Sequence, residues 1–157
     1  MEYSCNLSVF GESSVGKTCI LSRYISGIYE DDHHPSTGPT LGFKSIEIEG
    51  ESLKLELWDT AGQEKYRSLN KMFYKNADIV LFVYDITNRK SFEEIREYYY
   101  ELARELVPEY AIFGIAGNKC DKFNNEAVSE NEAKEFATSI GAEFGLHQRL
   151  KIMELMI

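Results

Sequence analysis

The residues best suited to chemistry stand near the start of the chain, in GESSVGKT (11–18), directly behind the run YSCNLSVF. A glycine, four mixed residues, then Gly16, Lys17 and Thr18 between a strand and a helix let backbone N–H groups turn inward around an anion. The free helix N-terminus adds positive potential there. Gly11 and Gly16 permit the tight turn, Lys17 reaches the β- and γ-phosphates of a nucleotide, and the Thr18 hydroxyl ligates Mg2+. A plain Gly/Ser-rich turn is the bland alternative, disfavoured because four fixed positions in a strand–loop–helix context seldom coincide by chance.

Two further stretches say which nucleotide and which reaction. WDTAGQE (58–64) ends an alternating strand, so Asp59 falls at a strand's carboxyl end, where open α/β sheets place ligands. Its carboxylate suits Mg2+, through water; Gly62 offers an unhindered N–H to a γ-phosphate; Gln63 has a donor and an acceptor with which to orient an attacking water. GNKCD (117–121) ends a second strand. Asp121 presents two oxygens to the adjacent N–H groups of guanine, a donor pair that adenine lacks, and so selects GTP over ATP. Asn118 is placed to tie this loop to the phosphate loop, and the Lys119 stem to cover the base.

The intervening pattern supplies the elements that must hold these residues. CILSRYI has apolar residues at 20, 21, 24 and 25, a helical spacing. KSIEIEG and SLKLELWD alternate at period two on either side of a turn expected at Gly50 and Glu51, which reads as an antiparallel hairpin. Residues 77–85 and 110–121 are nearly continuous apolar runs, the mark of parallel strands covered on both faces. Helices are expected over 91–108, capped by Ser91 and stopped at Pro108, and over 129–141, capped by Ser129 and closed at Gly141. The remaining stretches 27–40, 60–70 and 121–128 read as loops. The alternation predicts an α/β fold, a doubly wound, mostly parallel sheet with one antiparallel hairpin strand. A length of 157 residues predicts one domain, 1–157.

Composition narrows the partners. With 17 basic against 26 acidic residues the net charge is -9 and no basic cluster stands out, which argues against nucleic acid or an anionic membrane. Cys5, Cys19 and Cys120 are odd in number and widely spaced, the usage expected of a reduced cytosol. The apolar run from Ile79 to Tyr84 is far too short to cross a bilayer, and Glu2 excludes a myristoylated glycine.

In these motifs, and in VYDIT followed by SF, the chain resembles the Ras superfamily of small GTPases, most closely its Rab branch, over residues 3 to 144. The resemblance implies a P-loop G domain that is on with GTP, off with GDP, binds Mg2+ and hydrolyses slowly. It implies that the backbone of Ser13, Ser14, Val15, Gly16, Lys17, Thr18 and Cys19 wraps the phosphates and that Tyr29 flanks the base. Cys120, inside the base loop, is then a structural thiol. The resemblance also implies an exchange factor, a GTPase-activating protein and effectors, engaged through residues 30–45 and 60–75, and a monomer. Trafficking of vesicles and membranes is the role it suggests, on the cytosolic face of a compartment if a lipidated full-length form exists.

Two departures bear on the site. In IYEDDHHPSTGPTLGFKS the block P-T-L-G-F resembles the segment bearing the Mg2+-binding threonine, which favours Thr40. Counting from Lys17 and Asp59 as in a Rab points instead near Ser36, so Ser36 or Thr37 is the alternative to Thr40. Thr40 to Asp59 spans 19 positions, closer to the shorter hairpin of Arf-like proteins, and lengthens the loop before it. His33 and His34 beside Glu30, Asp31 and Asp32 are expected to be a solvated loop rather than a metal site. After SIGAEF the family's Ser-Ala-Lys loop and last helix give way to GLHQRLKIMELMI. A two-nucleotide shift of reading frame, with suitable codons, restores a Thr-Ser-Ser-Ala ending, so a frameshift, an alternative transcript or a gene-model error is the expected origin, against simple divergence. Leu146, Leu150, Met153 and Ile157 share a helical face and predict a short terminal helix. No C-terminal cysteine for prenylation is present in this sequence.

The reading is therefore a GTP switch in which Lys17, Thr18 and Mg2+ neutralise phosphate charge and Gln63 is the catalytic residue. Arg23 and Arg67 are the arginines to consider for the transition state, although neither must enter the site, so a partner is expected to supply that charge. The alternatives are a non-enzymatic interaction module whose altered end no longer retains nucleotide, and a P-loop phosphotransferase, which would need an acceptor pocket and an arginine-rich lid.

Overall fold

Six strands form one sheet in the order β2-β3-β1-β4-β5-β6, with β2 antiparallel to β3 and every other neighbouring pair parallel. The computed structural model describes residues 3–27, 38–60 and 67–146. In chain order the elements are β1 (Tyr3–Phe10), α1 (Lys17–Ser26), β2 (Thr40–Ile48), β3 (Glu51–Asp59), α2 (Arg67–Lys75) and β4 (Ile79–Asp85). There follow α3 (Arg89–Glu94), a π turn (Ile95–Tyr99), α4 (Tyr100–Leu106), β5 (Ile112–Asn118), a 3-10 turn (Cys120–Asn125), α5 (Glu130–Ser139) and β6 (Glu143–Leu146). The α/β class read from the alternation is the class observed. Among the described residues no helix is long and apolar enough to cross a membrane.

All seven residues of β4 are buried, as its unbroken apolar run requires. Alternate side chains divide between two cores. Ile79, Leu81 and Val83 join Leu7, Val9, Ile20 and Leu57 in one, whereas Val80, Phe82 and Tyr84 join Phe92, Tyr99 and Ile115 in the other. Aromatic rings build the second core: Phe10 stacks on Tyr74 with centroids 3.8 Å apart, and Phe92 meets Tyr84 edge-on at 5.0 Å. Because the chain leaves β1 toward β3 and later returns to β1's other side with β4, the carboxyl end of β1 is a topological switch point, where ligands of open α/β sheets bind.

Four local expectations change. The hairpin turn is Glu49–Gly50 rather than Gly50–Glu51: both residues have positive φ, 51° and 84°, as a two-residue type I′ turn demands, and Ile48 pairs with Glu51. The helix expected at Ser91 begins at Arg89 and is capped by Asn88, whose side chain accepts from Ser91 N. Ser91 is fully buried instead, its Oγ accepting from Asp85 N at 3.0 Å and donating to Asn88 O at 2.7 Å. Residues 67–70, read as loop, open helix α2, which buries Asn70 and Tyr74 one turn apart. Finally, Leu146 is in strand β6, paired with Gly117, and packs into the aromatic core; it is not on the helical face expected with Leu150, Met153 and Ile157, which lie outside the described residues. Parallel pairing to β5 satisfies its backbone where a helix start would leave it open.

Ser129 does cap its helix, accepting from Glu132 N at 3.1 Å. The Glu132 carboxylate turns outward to Arg89 at 2.6 Å. Ser129→Ala should therefore lower unfolding stability by about 1 kcal/mol, measured by urea denaturation at an unchanged m-value; an unaltered midpoint would show that the hydroxyl contributes nothing.

Candidate functional site

The loop between β1 and α1 is a ready-made anion cradle. Ser14 and Gly16 both have positive φ, 66° and 100°, with Val15 buried between them, and Gly16 stands at the N-cap of α1 with no side chain capping it. Left-handed residues alternating with ordinary ones turn successive N–H groups to the same side. A Cβ on Gly11 would lie 2.2 Å from Val83 O, and one on Gly16 would lie 2.1 Å from Asn118 Nδ2, so neighbours leave no room for side chains at either glycine.

Lys17 arches back over this loop. Its Nζ donates to Gly11 O and Glu12 O, both at 2.9 Å, and the residue is 7% exposed. Among the described residues two of its three N–H groups are used, both by the loop, leaving one for a ligand. Burial pulls the ammonium down to about 8, against the opposing pull of Asp59 and Glu12. A polyanion in the cradle would restore the charge that burial disfavours.

Asp59, at the end of β3, is buried. Its Oδ2 accepts from Thr18 Oγ1 at 2.5 Å, while Oδ1 has no hydrogen-bond partner among the described residues. Burial pushes this carboxyl up, and the Thr18 bond and Lys17 work against the rise. An orphaned buried carboxylate oxygen beside a hydroxyl fits a hard cation. The hairpin register sets Thr40 directly opposite Asp59, so both side chains leave the same face of the sheet, the face on which α1 packs. Thr18, Asp59 and Thr40 are thus brought to one place. Among the described residues no group of three or more His, Cys, Asp or Glu could hold a metal, so a cation here would rely on hydroxyls, one carboxylate, water and phosphate oxygens. That set suits Mg2+.

The third stretch joins the cradle through a long-range bond. Asn118 is buried at the end of β5, and its Nδ2 donates to Val15 O at 2.7 Å, joining residues 103 apart. Lys119 follows in the left-handed region, φ 63°, with its Nζ 2.7 Å from Asp85 Oδ2. Burial would raise the Asp85 carboxyl, yet hydrogen bonds from Lys119 and Thr87 outweigh it and hold the group below its ordinary range. Cys120 Sγ donates to Gly117 O at 3.4 Å, and Asp121 is exposed in the turn that follows. The backbone reversal at Lys119 is what turns Asp121 out of the sheet.

Cys19 sits in the first turn of α1, partly buried, its thiol pushed up by burial. Tyr29, Ser36, Thr37, Gly62 and Gln63, together with His33 and His34, lie outside the described residues. Arg67 is engaged elsewhere: Nη2 lies 2.7 Å from Glu12 Oε1 and 3.0 Å from Glu94 Oε2. Arg23 lies in the last turn of α1, about 9 Å along the helix from Lys17 at 1.5 Å per residue. The sequence reading did not anticipate Asp85, Glu12 or Glu94. The aspartate closing VYD, at a strand's carboxyl end, was the one available signal among these.

A sequence profile described as the Ras family matches residues 6–147. Mouse Ras-related protein Rab-39A is 39% identical over 147 residues, spanning 90% of this chain and 68% of the relative; its human counterpart is 37% identical over the same shares. The maize GTP-binding protein YPTM1 is 35% identical over 143 residues, 91% of this chain and 68% of its own. With the loop between β1 and α1 tied to the loop after β5 at the switch point, and a likeness to such relatives across most of the sequence, the chain belongs to the Ras family of small GTPases, in its Rab branch.

Proposed function

We propose that this protein is a switch that binds GTP and GDP with Mg2+, hydrolyses GTP slowly, and acts in vesicle and membrane trafficking. The observation that best supports the reading is the bond from Asn118 Nδ2 to Val15 O, which ties the loop after β5 to the loop between β1 and α1; one nucleotide held by its base at the first and its phosphates at the second needs such a tie. The printed name of the maize relative, a GTP-binding protein, agrees.

Each residue then has a task. Backbone N–H groups from Ser13 to Cys19 enclose the phosphates, Lys17 neutralises the outer ones, Tyr29 and the Lys119 stem flank the base, and Asp121 accepts from the guanine edge. Thr18, Asp59 and Thr40 hold Mg2+, directly or through water; the ion, when bound, neutralises charge on the outer phosphates. Gly62 N–H meets the γ-phosphate and Gln63 orients the attacking water. With Arg67 held by two carboxylates, the transition-state charge is left to a GTPase-activating protein. Exchange factor, activating protein and effectors engage residues 30–45 and 60–75, where Leu41, Phe43, Leu69 and Met72 are 39%, 49%, 50% and 61% exposed and Trp58 packs against Phe73 at 5.1 Å.

The deciding experiment denatures purified protein and identifies the released nucleotide by chromatography. Guanine nucleotide at near one equivalent is expected. Empty protein that takes up none with Mg2+ would favour the non-enzymatic module, the reading supported by GLHQRLKIMELMI standing after SIGAEF in place of the family's Ser-Ala-Lys loop. In single-turnover assays hydrolysis should be slow, and Gln63→Leu should lose most of the rate, about tenfold or more. An unchanged rate would remove Gln63 from the mechanism.

A further inference from the structure

Arg67, the first residue of α2, gathers three elements. Its Nη2 reaches Glu12, the second residue of the phosphate loop, and Glu94, the last of α3, at 2.7 and 3.0 Å. Its guanidinium lies 4.3 Å from the centre of the Tyr98 ring. The three charged side chains are only 20–26% exposed, so the pairs are less screened than those of the open surface. Two carboxylates converging on one cation repel each other, which makes the arrangement depend on Arg67.

The far wall is built to match. Immediately after Glu94 the helix widens into the π turn Ile95–Tyr99, with Tyr100 N–H bonding to Ile95 O. Such turns are rare and tend to occur where a site requires them. This one presents Tyr98 to Arg67 and leaves Tyr99 O to accept from Tyr74 Oη at 3.2 Å, so α2 is attached to the same rod near both of its ends. The outer face of α2 is the one that carries Leu69, Met72 and, against Trp58, Phe73.

We infer that Arg67 is a positioning residue that couples the phosphate loop, through Glu12, to the placement of α2 and hence to the apolar face around Trp58 and Phe73. The inference takes its purpose from the switch reading above, but its test does not depend on it. A change at Glu12 is transmitted to α2 because the carboxylate and the helix share one cation, and Glu94 with Tyr98 supplies the fixed wall against which that cation rests.

Trp58 is the single tryptophan of the chain, so its emission reports the packing of α2 directly. The comparison uses full-length wild type, Glu12→Ala, Arg67→Gln, Arg67→Lys, the Glu12→Ala/Arg67→Gln double variant, and Arg104→Gln from the exposed pair with Glu101 as control. Glu12→Ala and Arg67→Gln should each shift Trp58 emission to longer wavelength and increase its quenching by acrylamide, by similar amounts, and the double variant should do no more than either. Arg67→Lys, which keeps a charged nitrogen for the carboxylates but is shorter and has no plane to rest on Tyr98, should shift emission less than Arg67→Gln; Arg104→Gln should change nothing. A shift in Arg67→Gln with none in Glu12→Ala, or shifts that simply add, overturns the coupling. So does a lowered melting midpoint with unaltered emission, the behaviour of a merely structural clasp. Glu94→Ala replaces Arg67→Gln in the comparison should the latter not fold. Chromatography of nucleotide in the same wild-type preparation reports on the switch reading separately, since protein lacking guanine nucleotide would sink that reading while the emission comparison still decides this one.

Discussion

Asp121→Ala should all but erase the preference for guanine over adenine nucleotides, reducing it by about a thousandfold or more. Sites that hydrogen-bond a specific donor pair reject analogues lacking it by roughly 10⁴–10⁵, and in this chain the proposed pair of acceptors is the Asp121 carboxylate. The turn around it is held independently of its side chain: Asn118 bonds to Val15 O, Lys119 pairs with Asp85, and Ile86 N donates to Asn118 O at 3.1 Å. Truncating an exposed carboxylate in that setting should leave folding intact while removing the discrimination. Competition of GDP and ADP for the Mg2+-loaded protein, followed by calorimetry, measures the ratio before and after. If the variant still prefers GDP as strongly as the wild type, the base is read by another group.

Lys17→Ala is the second large effect, and it acts on two links at once. The ammonium bonds to Gly11 O and Glu12 O inside a buried loop, so its removal leaves two carbonyls without their donor and exposes Asp59 to no compensating charge. Charge-assisted bonds contribute about 1.5–3 kcal/mol each. Loss of those formed with phosphates should weaken GTP binding on the order of 10²–10⁴-fold. Stability without nucleotide should also fall, by about 1–3 kcal/mol, because an orphaned buried polar group costs that much. Lys17→Arg should not rescue binding, since a planar guanidinium does not fit a space lined by Gly11 and Glu12 carbonyls on which a compact ammonium already sits. Equilibrium binding with a fluorescent guanine nucleotide and urea denaturation read the two effects separately; wild-type affinity in Lys17→Ala would remove the residue from the site.

How much was legible from the chain alone depended on whether the cause was local. The cradle, the alternation of the hairpin and the Ser129 cap could be read because each turns on residues within a few positions of one another. Caps are also where local reading failed: Asn88 and Ser91 are one turn apart and both able to cap, and only the packing of Ser91 into the core beside Asp85 separated them. Helix α2 is harder to read from the chain because its apolar stripe, Leu69, Met72 and Phe73, lies on the outer face, while the side that packs inward buries the partly polar pair Asn70 and Tyr74. Arg67 was considered as an arginine that could enter the site, whereas its carboxylates come from positions 55 and 27 residues away, a distance at which spacing carries no signal.

By itself the sequence determined the class of chemistry. Glycines where no side chain fits, a lysine and a hydroxyl at a helix start, an aspartate closing a strand and an Asn-Lys-x-Asp turn are constraints of stereochemistry and hydrogen-bonding capacity, and they survive without coordinates. Only the tertiary structure decided which of these groups meet. Whether Thr40 faces Asp59 rests on a single residue: with the turn at Gly50–Glu51 the register would set Gly42 there, and the turn at Glu49–Gly50 sets Thr40. The choice was made by the two left-handed residues Glu49 and Gly50: moving the turn by one position shifts the pairing of β2 by two, which keeps every side chain on its own face, so burial does not separate the two registers and the backbone of the turn does.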